Sequence, residues 1–195
     1  VLHKSQEELE MLARKKVKHL YLGIESGLDD VLKFMKKDHD LAQAYQAIDR
    51  LHEAGLIYDA HIMTGVAGKG RGNAEALAQF LNRTNPAHVV NFSMFLHKEV
   101  PLYQDIRQGT FVPADELETI REEYHLIERI APEKAGANIL YDGFHDFIHV
   151  RVRGHLPGDK EKMLAKLNGI IQEYEGKEPV YSFVQGECPD LEYCD

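Results

Sequence analysis

The stretch K-H-L-Y-L-G-I-E-S-G, running from Lys18 to Gly27, decides how the rest of the chain is read. His19, Tyr21, Gly23 and Glu25 alternate with Leu20, Leu22 and Ile24, the two-residue period of a strand that buries one face. Glu25 and Ser26 then stand where a strand ends and a helix begins. In α/β sheets and barrels ligands gather at that carboxyl end, because its loops vary while the strands hold them in place. Ser26 has two readings: a ligand contact, or, with Asp29 three residues on, the capping box of a helix over 28–37. Glu25 is an acidic side chain after an apolar run and needs a partner.

Outward from that strand, S-x-x-E at Ser5 and Glu8 predicts a capped helix over 5–16. On the other side a helix over 41–54 starts at Asp40 and Gln43 and stops at Gly55, with Ala44, Ala47, Ile48 and Leu51 facing the sheet. A second strand is expected over 56–66. It exits into the glycine-rich bend G-V-A-G-K-G-R-G-N, with Asn73 expected to cap a helix over 74–83. Four glycines, Lys69 and Arg71 before a helix N-terminus also suit an anion. No Walker or dinucleotide spacing fits the bend, so it stands as an alternative reading only.

A third strand is expected over 87–96, a loop over 98–109, and a helix capped by Asp115 and Glu118 that runs to Ile130 before Pro132. Leu117, Ile120, Tyr124, Ile127 and Ile130 form its apolar stripe. Farther on, Phe147, Ile148, Val150 and Val152 read as a strand. His145 and His149 are four apart, which suits a metal on a helix but not on a strand, so they are expected as surface or substrate-facing histidines. A last helix over 159–174 precedes an acidic tail. Strands alternating with helices predict βαβ units and a parallel sheet with right-handed crossovers.

The 195 residues suffice for a sizeable core, and 44% hydrophobic with 28% charged is the composition of a water-exposed globular protein. A net charge of -9 argues against an extended nucleic-acid or anionic-membrane surface. No run of about 18 apolar residues and no apolar leader is present. Cys188 and Cys194 are the two cysteines, a count that fits a reducing compartment, and a cytoplasmic location is expected. Two cysteines six apart make no metal site, so none is assigned. The chain opens on Val1 and not on Met, which points to a piece of a longer protein.

G-I-E-S-G, followed by L-D-D-V-L-K-F-M-K-K-D-H, L-H-E-A-G and H-I-M-T-G-V-A-G, resembles the second half of the radical S-adenosylmethionine (radical SAM) core. R-V-R-G-H-L-P-G-D-K-E-K-M-L, from Arg151, is similar to a segment that follows the barrel in some members. The family's cluster loop, C-x-x-x-C-x-x-C, does not occur in this chain. The resemblance implies an α/β fold: the later, parallel-stranded half of a partial (β/α)6 barrel, related to a TIM barrel, over 1–131, with a C-terminal α/β extension over 132–195. It implies S-adenosylmethionine and a 4Fe–4S cluster as cofactors of the complete enzyme, with no cluster expected on this chain because thiolates must hold it.

Carried over by position, the resemblance makes Glu25 an acceptor for the cofactor's ribose or amino-acid end, assisted by Ser26. Lys37, with Lys36 as the alternative, would meet the methionine carboxylate. His61 takes a strand position where relatives carry an acidic or polar ribose contact. Gly65 and Gly68 belong to a bend that packs near adenine and ribose, and Asn91 is placed in the lumen on the next strand. A phosphate- or nucleotide-binding α/β module without radical chemistry is the competing class. The expected partners are the small-molecule cofactor and an unidentified substrate. A homodimer is also expected, since the open edge of the 20–24 strand calls for a cover: the 5–16 helix, a strand over 147–153, or a second copy.

Overall fold

The computed structural model describes residues 1–145, 148 and 150–182. Five strands form one sheet in the order β1-β2-β3-β4-β5: β1 (His19–Glu25), β2 (Ile57–Thr64), β3 (His88–Ser93), β4 (Ile139–His145) and β5 (Val150–Leu156). β1 to β4 run parallel, and β5 returns antiparallel to β4. Five of the helices collect on one side of the sheet. α1 (Gln6–Arg14), α3 (Leu41–Glu53), α4 (Asn73–Thr84), α6 (Glu116–Arg129) and α7 (Lys160–Tyr174) pack with alternate strand residues into one apolar cluster. Ile24, Tyr58, Ala60, Ile62, Val89, Tyr141 and Val152 are its strand side. The intervening residues, among them Tyr21, His61 and Phe92, form the other, inner face, as in a barrel opened along its length.

Periodicity and caps explain most boundaries. Reciprocal capping boxes start α1 at Ser5, α3 at Asp40 and α6 at Asp115, as the sequence predicts. Three local expectations are corrected. The helix after β1 is the short, six-residue α2 (Asp29–Phe34), and no side chain caps it at Leu28, since Ser26 is engaged elsewhere. Asn73 lies inside α4, whose cap is Gly72 at φ 71, a left-handed conformation that costs glycine little. The expected loop over 98–109 contains α5 (Pro101–Arg107): Pro101 at the first helical position gives up no hydrogen bond there, which favours a start and not a break.

The segment after α6 adds two strands where one was expected. Of that expected strand, Val150 and Val152 lie in β5, Ile148 lies in a turn before it, and Phe147, like His149, lies outside the described residues. The acidic tail with Cys188 and Cys194 does so too. Of the intramolecular covers expected for the β1 edge, α1 packs on α3, and β5 pairs with β4 at the far edge. Among the described residues β1 pairs with β2 alone. No helix of the described residues is long and apolar enough to cross a membrane.

Candidate functional site

The carboxyl end of β1 is irregular. The pairing register shifts between Gly23 and Glu25, and Glu25 sits at φ 60. A left-handed residue other than glycine costs about 1–2 kcal/mol, so something must hold it there. The turn folds the Glu25 carboxylate back over Gly23, where a Cβ would approach Oε1 to 2.6 Å and Lys37 Nζ to 3.5 Å. Lys37 donates from Nζ to Glu25 Oε1 at 3.2 Å. It reaches that place because Lys36, at φ 58, closes the end of α2 and sends the chain back toward the strand. Of the two lysines, it is therefore Lys37 that meets Glu25. The pair keeps 20% of the Glu25 side chain and 27% of the Lys37 side chain exposed, so a ligand can reach both. Beside it a cavity of about 290 Å³ is lined by Tyr21, Gly23, Lys37 and His39, among others.

Ser26 points away from this pair. It is fully buried and donates to Asn73 Oδ1 at 2.7 Å while accepting from the Leu28 amide at 3.1 Å. Asn73 Oδ1 also accepts from Gly27 N, and its Nδ2 donates to Glu122 Oε1 at 2.8 Å. Glu122 Oε2 in turn accepts from Gly65 N at 3.1 Å. Burial raises the Glu122 pKa, and those same two bonds work against the rise. Ser26, Asn73, Glu122 and Gly65 thus form one chain of hydrogen bonds that ties the ends of β1 and β2 to α4 and α6. Gly68 is required by packing, since a Cβ there would lie 2.7 Å from Val112 O. The cations of the bend are committed as well: Lys69 to Glu118 at 2.7 Å, and Arg71 to Asp30. These pairs leave little charge for a phosphate, which weakens the alternative reading of the loop.

His61 lies on the inner face as expected, its ring edge-on to Tyr21 with centroids 5.2 Å apart. Asn91 does not. It is fully buried on the helix side, where Oδ1 accepts from Thr64 N and Nδ2 donates to Glu123 Oε1, both at 3.1 Å. The expected lumen position is corrected for a simple reason: Asn91 shares its parity with Val89, and the face that Val89 needs buried is the one the helices cover.

The sequence reading missed what Asn91 belongs to. Glu123 Oε1 accepts from the Tyr141 hydroxyl at 2.9 Å, and Glu123 Oε2 lies 2.8 Å from His145 Nε2. His145 Nδ1 is 3.7 Å from Glu116 Oε2, and the three charged side chains are all but solvent-free. Burial opposes charge on His145, but its contacts with Glu116 and Glu123 outweigh it and raise its pKa to about 9. Gly143 leaves the room, for any Cβ there would collide with Glu123 Oε1. The signal was present: Glu116, Ile120, Glu123 and Ile127 share one face of α6, so two glutamates had to enter the core with its apolar stripe. His145 is accordingly buried and faces neither surface nor substrate. Among the described residues no group of three or more His, Cys, Asp or Glu is arranged to hold a metal ion.

Residues 1–81 match the sequence profile of the radical SAM superfamily. Among solved structures, the chain is similar to Elp3 of the archaeon Methanocaldococcus infernus, determined with an N-terminal deletion (1–46). That likeness has a TM-score of 0.59 at 16% identity and covers 87% of this chain but 39% of the other, so this chain spans about two fifths of that structure's length. No curated protein matches the chain.

Proposed function

We propose that this chain, whose residues 1–81 are a fragment of a radical SAM core, supplies one wall of the cradle that holds S-adenosylmethionine. The Glu25–Lys37 pair carries this reading, because a strained carboxylate lies at the carboxyl end of β1 over a residue with no side chain. Its chemistry fits the cofactor's polar groups. A carboxylate accepts from hydroxyl or ammonium donors, and an ammonium donates to a carboxylate. Glu25 and Lys37 are therefore assigned to opposite charges of the cofactor's amino-acid end, exchanging their mutual bond for bonds to the ligand. His61 is assigned a weaker role on the neighbouring strand, and Ser26, Gly65 and Gly68 hold the strand ends in position.

In the complete enzyme the 4Fe–4S cluster and S-adenosylmethionine together supply a 5′-deoxyadenosyl radical. Cys188 and Cys194 are too few to supply that cluster's usual thiolate set. The chain's own tasks are to bind, to orient and to exclude water. On its own it binds the cofactor without cleaving it. Calorimetric titration with S-adenosylmethionine tests this: Lys37→Ala is expected to weaken binding about ten-fold, one charge-assisted hydrogen bond's worth. Binding indifferent to Lys37→Ala would remove the pair from the site, and a chain that cleaves the cofactor unaided would overturn the rest.

A further inference from the structure

A row of rings crosses the inner face. Tyr21 meets His61 with centroids 5.2 Å apart, His61 meets Phe92 at 6.1 Å, and Phe92 stacks on Phe144 at 5.6 Å with planes 16° apart. The Arg151 guanidinium then lies over Phe144, 4.7 Å from its centroid. Tyr21, on the edge strand, is 60% exposed, and Phe92 is 43% exposed even though β3 is the central strand of the sheet. At the far end Arg151 forms a bidentate pair with Asp142, at 2.8 and 2.7 Å, while Arg153 is 3.6 Å from the same carboxylate. Two guanidinium groups share one carboxylate there, so the trio keeps a net positive charge at the end of the row. Arg151 and Arg153 remain 52% and 56% exposed.

Flat rings offer stacking faces, and an under-neutralised guanidinium offers a planar donor fork for carboxylate or phosphate. We propose that this row is the substrate platform of the enzyme, and that it takes a flat conjugated ring carrying one anionic group. The ring lies against Phe92 and its neighbours while Arg153 donates to the anion. An apolar strand laid over the same face would satisfy the rings but leave the positive charge unanswered. A ligand that is both flat and anionic answers both. The inference rests on the proposed cofactor role for the carboxyl end of β1, since Phe92 and Arg153, on β3 and β5, lie on the same inner face.

Fluorescence titration tests it directly, because the chain has no tryptophan to overlap a naphthalene probe. The probes are 2-naphthoate and 2-naphthyl phosphate, which separate a carboxylate from a phosphate source by which binds more tightly. Both are expected to bind at least about ten-fold more tightly than 2-naphthol, and cyclohexanecarboxylate, an anion without a flat ring, is expected not to compete. Arg153→Ala should lower naphthoate affinity about ten-fold, with Arg153→Lys recovering part of it, and Phe92→Ala about five-fold. Arg14→Ala, on the exposed side of α1, should change nothing. Circular dichroism verifies that each variant folds. 2-Naphthol binding as tightly as naphthoate, or an Arg153→Ala chain that binds as the parent does, overturns the proposal. Probe binding that fails while S-adenosylmethionine still binds sinks this inference alone, and the reverse result sinks the cofactor reading alone.

Discussion

On the helix side of the sheet, Glu116, Glu123 and His145 bring three charges into a space without solvent. On the inner side Glu25 and Lys37 meet at 3.2 Å, with a fifth to a quarter of each side chain in reach of water. The two groups use the same residue chemistry for opposite ends. The buried one is shut off from solvent, and Glu123 is saturated within it, with Asn91 and Tyr141 both donating to its Oε1 and His145 2.8 Å from its Oε2. The inner pair is joined by one bond among the described residues, stands on a strained backbone and stays partly open to water. Burial and partner count, more than residue type, separate a charge that stabilises the fold from a charge open to a ligand.

The largest expected effect is therefore on the helix side. Glu123→Ala leaves the His145 imidazole, the Tyr141 hydroxyl and the Asn91 amide without their acceptor. Removing one member of a buried ion pair costs about 3–5 kcal/mol. Urea unfolding should show the midpoint falling accordingly, and a loss under 1 kcal/mol would mean that the cluster relaxes or admits water.

Next comes pH. His145 has a folded pKa of about 9 against 6.5 for an ordinary histidine. A raised pKa stabilises the fold below the unfolded value and loses that contribution as pH rises through the folded one. The stabilisation is thus complete below about pH 6.5 and fades toward pH 9, on the order of 3 kcal/mol in all. Denaturant titrations at pH 6, 8 and 9.5 should show a monotonic decline, and a flat profile would mean that His145 is neutral in the fold.

Asn91→Ala is expected to cost about 1–3 kcal/mol, since Thr64 N loses its acceptor in the core. Lys37→Ala, on the other face, should cost under about 1 kcal/mol, as a partly exposed pair contributes little. Equal losses in the two variants would erase the contrast between the faces. Smallest in stability is Gly23→Ala. The new Cβ meets the far end of a flexible carboxylate, so the fold tolerates it while Glu25 is displaced from its place over the strand. Cofactor affinity, not the unfolding midpoint, should register that change.

Much of this contrast was legible in the sequence, and the rest was hidden for identifiable reasons. Alternation in the first strand, the three capping boxes and the glycine stops fix β1, α1, α3 and α6 from local rules. Glu25 announced its need of a partner, and Lys37 supplies it from twelve residues away. Asn91 was assigned the wrong face because parity within one strand says which residues go together but not which set the helices cover. Ser26 could be read as a cap, with Asp29 at the right spacing, or as a ligand contact, whereas the partner it meets, Asn73, lies 47 residues on. His145 and Glu123 needed the sheet register and the α6 rotation together, which no local pattern contains.

The central claim, that the inner pair serves a ligand and the buried cluster serves the fold, is tested most directly by thermal unfolding of the parent chain, Glu25→Gln and Asn91→Ala, with and without S-adenosylmethionine. A ligand at about one hundred times its dissociation constant stabilises the fold it binds by about 2.7 kcal/mol. The account predicts that Glu25→Gln melts like the parent without ligand but loses most of the ligand-induced rise, while Asn91→Ala melts lower and keeps that rise. A Glu25→Gln chain that is destabilised yet still fully protected by S-adenosylmethionine would contradict it.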